Sequence, residues 1–164
     1  TLRQLITHKY SIKLRYNLYK LQYIGYILSK YSEQLGRLKK EISIIQSKKK
    51  VKFKKHQKDM ISFIHRTITN VEFKVGEKTI ILEMGDDKKG FRHILERHYN
   101  QNDLETMDIL NLPIIFKNAL VLNEVGVSNN QLTVYKMEKN QKDLRLITNE
   151  IKDNKLVVTS YRKS

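Results

Sequence analysis

Cysteine is absent from the 164 residues. That excludes disulfide frameworks, thiolate nucleophiles and zinc–thiolate centres, without fixing a compartment. No stretch approaches the roughly eighteen uncharged apolar residues of a membrane-spanning helix, so no transmembrane segment is expected. No basic start followed by an apolar core marks a secretory signal. A G-x-S-x-G elbow, a Walker loop and a paired-carboxylate pattern are all missing, which counts against serine hydrolases, P-loop enzymes and glycosidases. The first residue is Thr1 and not Met, compatible with a piece of a longer protein. Acidic residues are scarce in one half only. Residues 1–70 hold 17 basic and 3 acidic residues, a net +14, whereas residues 71–164 hold 15 and 14, a net +1. With 40% hydrophobic and 30% charged residues the chain can bury a core. The asymmetry predicts a basic region, 1–70, joined to a nearly neutral domain, 71–164. A polyanionic partner is expected: nucleic acid, an anionic membrane surface or an acidic protein.

The basic region reads as helix. Leu21, Ile24, Leu28, Tyr31, Leu35, Leu38, Ile42 and Ile45 form a heptad seam. Leu14 and Leu18 extend it with a shifted phase. One helix from about Ser11 to Gln46 is predicted, with Gly25 and Gly36 as weak points. The seam serves either a coiled-coil partner or packing on its own chain. Tyr10, Tyr16, Tyr19, Tyr23, Tyr26 and Tyr31 crowd this helix, as half-buried positions or as stacking surfaces for bases. A lysine run over residues 48–58 breaks the helix or forms a solvated face, and is also suited to tracking phosphates. A second helix is expected to use Phe53, Met60, Ile61, Ile64 and Ile68 as one face and to end at Thr69-Asn70.

From Val71 the period changes to two. Residues 71–84 read as a hairpin, and Gly85 to Gly90 as a polar loop. Phe91 to Tyr99 reads as a short helix, and Asp103 to Leu110 as another, capped by Asn102 or Asp103 and stopped by Pro113. Ile114 to Glu124 is ambiguous between helix and strand. Leu132 to Met137, Asp143 to Ile151 and Leu156 to Arg162 read as a strand meander. The expected fold class is α+β, short helices preceding a twisted antiparallel sheet.

Chemistry concentrates in Gly90-Phe91-Arg92-His93-Ile94-Leu95-Glu96-Arg97-His98. His98 lies on the apolar stripe of Phe91, Ile94 and Leu95, while His93 and Arg97 are i, i+4 neighbours on another face. In a straight helix the two histidines stand roughly 140° apart and about 7.5 Å along the axis, so they converge only if the helix ends or bends near His98. Imidazole exchanges protons near neutrality and arginine holds an anion, a pairing that suits phosphate chemistry. The structural alternative makes His98 a core-edge residue holding a backbone carbonyl and His93 a solvated one. At the last strand, period two predicts Thr159 and Tyr161 on one face, with Ser160 and Arg162 on the other. The spacing is not H-E-x-x-H, and no metal or cofactor is expected.

Phe63-Ile64-His65-Arg66-Thr67-Ile68, the hairpin, the His93–His98 element and the closing Val157-Val158-Thr159-Ser160-Tyr161 together resemble the phage and polymorphic-toxin branch of the barnase–EndoU–colicin–RelE-like ribonucleases. The resemblance covers about residues 60–164. It implies a metal-independent endoribonuclease toxin domain acting on RNA, tRNA among the candidates, in the cytoplasm. Such effectors often stand at the end of a larger secreted or phage-borne protein and are silenced by an acidic immunity or antitoxin protein. By this resemblance His93 and His98 are the acid and base, Arg97 stabilises charge, and Thr159 and Tyr161 position the scissile phosphate. Lys136, Arg145, Arg162, Lys88 and Lys89 are candidate substrate-binding cations. Two other classes compete: a non-catalytic nucleic-acid-binding or phage structural module, and a helical interaction protein using the seam.

Overall fold

The computed structural model describes residues 2–48, 51–100, 104–125, 131–139, 142–151 and 155–163; for 2–11, 13, 24, 27–29, 123–125, 131–132, 137, 139, 142–144, 149–151 and 155–163 the description is of the backbone alone. The fold is α+β. Helix α1 spans Leu2–Ser47, α2 Lys55–Ile64, α3 Gly90–His98, α4 Thr106–Leu110 and α5 Leu112–Asn118. Strands are β1 (Asn70–Val75), β2 (Lys78–Glu83), β3 (Leu120–Val125), β4 (Gln131–Lys139), β5 (Lys142–Ile151) and β6 (Lys155–Lys163). They form one six-stranded sheet of order β1-β2-β6-β5-β4-β3. Every neighbour pair is antiparallel except β2–β6, which is parallel. The expectation of an all-antiparallel sheet therefore fails at one junction, where the last strand slots between the hairpin and the meander.

The expected boundary near residue 70 does not separate two cores. Tyr31, Leu38 and Ile42 of α1 and Met60, Phe63 and Ile64 of α2 are buried in the same cluster as Ile80, Leu82, Phe91, Ile94, Leu95, Phe116, Tyr135 and Leu146. The heptad seam thus packs on its own chain from Tyr31 onward. Leu21 at its other end is exposed, and the side chains of Ile24 and Leu28 lie outside the described residues. Gly25 and Gly36 do not interrupt α1, which starts well before Ser11. The lysine run does break it: α1 stops at Ser47 and α2 begins at Lys55. That second helix ends at Ile64, short of the expected Asn70, because the backbone turns left-handed at Arg66 (φ +61°), with Thr67 N–H closing back on the Ser62 carbonyl (2.9 Å); Ile68 beyond the turn is exposed.

Two local corrections have simple causes. Glu105 takes the cap position of α4, its N–H bonded to Asp108 Oδ2 at 2.8 Å, in place of Asn102 or Asp103. Pro113 both follows the break at Asn111 and opens α5, where its missing N–H costs nothing. The ambiguous segment after it is helix to Asn118 and strand from Leu120. Among the described residues, no helix is long and apolar enough to cross a membrane.

One carboxylate ties three helices together. Glu41 of α1 accepts hydrogen bonds from Tyr99 Oη (3.1 Å), just past α3, from Thr106 Oγ1 on α4, and from Arg37 Nε (3.2 Å). Burial tends to raise the Glu41 carboxyl, but the bonds from Thr106, Arg37 and Tyr99 outweigh it and hold the group below its ordinary value. A folded-state value depressed in this way contributes stability above the unfolded carboxyl's range and loses it as pH falls through the folded value. Glu41→Gln should therefore lower the melting temperature at pH 7, and the gap to wild type should close as pH drops below about 4. A gap that does not change with pH contradicts this account.

Candidate active site

The site is built from the end of β2, the glycine-flanked loop and α3. Gly85 (φ +66°) and Gly90 (φ +77°) adopt left-handed backbone and touch each other. A Cβ on Gly85 would stand 2.1 Å from the Lys89 carbonyl oxygen, and one on Gly90 would stand 2.9 Å from both the Glu83 carbonyl oxygen and the Gly85 Cα. Only glycine permits both the backbone conformation and the approach. The closed loop is pinned from within. Asp86 N–H donates to the Lys89 carbonyl at 2.9 Å, and Asp86 Oδ1 accepts from the N–H groups of Lys88 (2.9 Å) and Lys89 (3.1 Å). The Lys88 N–H, with that of Lys89, holds the Asp86 carboxyl below its ordinary value.

This loop sets one imidazole. His93 Nδ1 lies 2.7 Å from the Asp87 carbonyl oxygen. A carbonyl can only accept, so Nδ1 carries the proton and, in the neutral ring, Nε2 keeps its lone pair for a substrate proton. Helix α3 ends at His98, and the His93 and His98 ring centroids are 5.8 Å apart, edge to face. The two rings therefore converge at the helix end, as the spacing required. His93 thus holds a backbone carbonyl and is half-buried, where the structural alternative expected a solvated residue. The apolar stripe anchors the helix: Phe91, Ile94 and Leu95 are fully buried, and Phe91 meets Phe63 edge-on with centroids 5.2 Å apart.

Helix α3 is also fixed sideways. Arg92 pairs with Glu96 (3.0 Å) and lies over the Tyr31 ring, 5.2 Å from its centroid. Beside this lock, Arg97 and Glu96 line a cleft of about 90 Å³ opposite Tyr23, Tyr26 and Lys30 of α1. Arg97 is exposed. Lys88 and Lys89 are exposed on the loop whose next-door carbonyl holds His93.

The sheet divides the remaining candidates. Helix α3 packs against β6. The backbone of Tyr161 stands in register with Leu146, and Leu146 with Tyr135, and both Leu146 and Tyr135 belong to the helix-covered core. Lys136 and Arg145 form the adjacent cross-strand row, which alternation places on the other side of the sheet, and the backbone of Arg162 stands in register with Arg145. Lys136 and Arg145 therefore do not join the histidine pair. Val158 pairs with Thr148 and Ser160 with Ile147, so the register shift leaves Thr159 without a counterpart. The expected strict alternation of Thr159 with Tyr161 is thus interrupted by a bulge, a device that re-aims residues at a strand. The side chains of Thr159, Tyr161 and Arg162 lie outside the described residues.

Sequence reading missed the Asp87 carbonyl, which has no side-chain signature, and the cleft that Arg97 lines together with Tyr23, Tyr26 and Lys30. The latter had a signal: Ile12, Tyr16, Tyr19, Tyr23 and Tyr26 step by 4, 3, 4, 3 along one helical stripe. No protein-family model matches the chain, and no curated protein matches it.

Proposed function

We propose that the chain is a metal-independent endoribonuclease in which His93 and His98 transfer protons at a phosphodiester. The observation that carries this reading is the pair of imidazoles 5.8 Å apart at the end of α3, one with its tautomer set by a backbone carbonyl. A neutral imidazole takes the 2′-hydroxyl proton. The 2′ oxygen then bonds to phosphorus, the P–O5′ bond breaks, and the second imidazole, protonated, gives its proton to the leaving 5′ oxygen. Arg97 offers charge to the anionic phosphorane, and Lys88 and Lys89 offer phosphate contacts. The resemblance of residues 60–164 to toxin-type ribonucleases supports the same chemistry and an acidic inhibitor protein. The net +15 supports a polyanionic substrate.

The test is cleavage of RNA in excess EDTA with identification of the new ends. The reading expects 2′,3′-cyclic phosphate and 5′-hydroxyl termini. Products with 5′-phosphates would contradict attack by the 2′-hydroxyl, and no cleavage of any RNA class would replace the reading with the non-catalytic nucleic-acid-binding module.

The basic region has its own signature. Replacing Lys48, Lys49, Lys50, Lys52, Lys54 and Lys55 by glutamine should weaken RNA binding and flatten its salt dependence, by roughly 0.7 log unit per log unit of salt for each phosphate that is no longer neutralised. An unchanged slope in a filter-binding series would reduce the run to a solvated linker.

A further inference from the structure

The amino-terminal half of α1 is at odds with a helix that simply packs on its domain. Tyr16, Tyr19, Tyr23 and Tyr26 are 68, 70, 54 and 65% exposed, and Ile12 at the head of the same stripe is exposed too. By contrast Tyr31, one turn past the stripe and on the other face, is buried beneath Arg92. An exposed row of large rings is an interaction surface and not a default surface composition. Its chemistry is specific: the rings are all phenols, and residues 1–32 contain six lysines and arginines and no acidic residue. Like charge of that density disfavours a second copy of the helix as the occupant. It favours a polyanion that also presents flat, stackable faces.

The stripe has a direction. From Tyr16 to Tyr26 it runs about 15 Å along the helix, and its last two rings, with Lys30, form one wall of the cleft whose other wall is Arg97 and Glu96 of α3. Glu96 is paired with Arg92, so its charge is compensated within the protein. The row thus leads along the amino-terminal half of α1 to the helix that carries His93 and His98.

We infer that Tyr16, Tyr19, Tyr23 and Tyr26 are a stacking track for unpaired bases, which feeds a single strand past Lys30 and Arg97 toward the histidine pair. The inference rests on the ribonuclease reading for its destination and makes the substrate class single-stranded and not duplex. In a duplex the base faces are occupied by one another and no ring can stack on them, whereas every unpaired base offers a face whatever its identity. Binding is therefore tolerant of sequence, and the phosphates follow the cations that flank the rings.

The chain has nine tyrosines and no tryptophan, so its intrinsic fluorescence comes from tyrosine and reports stacking directly. The experiment titrates the whole chain with a dodecamer of oligodeoxyadenylate, which has no 2′-hydroxyl to attack, and with the same dodecamer in a duplex. Two variants accompany wild type: Tyr16, Tyr19, Tyr23 and Tyr26 all changed to alanine, and all changed to phenylalanine. Circular dichroism checks that α1 is intact. The single strand should quench wild-type fluorescence and bind at least tenfold more tightly than the duplex. The alanine variant should lose affinity by 100-fold or more, at about tenfold or somewhat more per stacked base. The phenylalanine variant, followed by filter binding, should stay within about threefold of wild type. Equal binding of duplex and single strand, or an alanine variant that binds as wild type, overturns the track. So does an alanine variant that loses only its binding to phosphatidylserine vesicles. The outcome separates from the ribonuclease reading: tyrosine-dependent binding without any RNA cleavage leaves the track and removes the nuclease, while cleavage by an alanine variant with unaltered binding does the reverse.

Discussion

His98→Ala is expected to slow RNA cleavage by about 10² to 10⁴, the usual share of one general acid or base, with little change in melting temperature. The separation of the two effects follows from where the residue sits. The helix is anchored by Phe91, Ile94 and Leu95, all fully buried, and its end is closed by main-chain bonds: Leu104 N–H donates to the His98 carbonyl (3.0 Å) and Asn100 N–H to the Leu104 carbonyl (2.9 Å). None of these needs the imidazole. The ring itself is half-buried and faces His93. Parallel cleavage assays and melting curves check the point. A variant that cuts at the wild-type rate, or that unfolds, removes His98 from the chemistry.

Gly85→Ala should be the most damaging single methyl in the molecule. Left-handed backbone costs a non-glycine residue about 1–2 kcal/mol. The new Cβ would also meet a main-chain oxygen at 2.1 Å, which backbone must move to relieve. A total loss of roughly 3 kcal/mol or more is expected, in the range of special-backbone and overpacking effects. The activity should fall further than the folded fraction, because the loop that shifts is the one whose Asp87 carbonyl orients His93. Gly36→Ala is the control. A Cβ there meets nothing within 4 Å, and the substitution should be neutral or slightly stabilising by helix propensity. Chemical denaturation of both variants, with activity normalised to folded protein, decides the matter. Equal stability of Gly85→Ala and wild type contradicts the role given to the loop.

What was legible in the sequence is what local patterning encodes. Alternation over 71–84 located the hairpin, and the β-rich tail located three strands, because side-chain period two is a property of each strand alone. The Phe91, Ile94 and Leu95 stripe located α3, but whether its histidines converge depended on where the helix ends, which the stripe left open. The parallel β2–β6 junction was not legible, since strand order is decided by contacts far apart in sequence, such as Ile80 with Leu156. The single core was hidden for the same reason: charge marks residues 1–70 as distinct, but burial of Leu38, Ile42 and Phe63 ignores net charge and joins them to the sheet. At the site, the residue types were visible and their relations were not. The bulge at Thr159 and the exclusion of Lys136 and Arg145 from the α3 side depend on register, which no motif reports. The tyrosines were conspicuous in the sequence, but only the structure separates buried Tyr31 from its exposed neighbours.

The central claim is that His93 and His98 work as one proton-transfer pair. Cleavage rates of wild type, His93→Ala, His98→Ala and the double variant, on one RNA in EDTA, test it most directly. Groups that act as a unit are strongly non-additive. The double variant should therefore be no more than about threefold slower than the slower single variant. Losses that multiply, or full activity in either single variant, would contradict the pair.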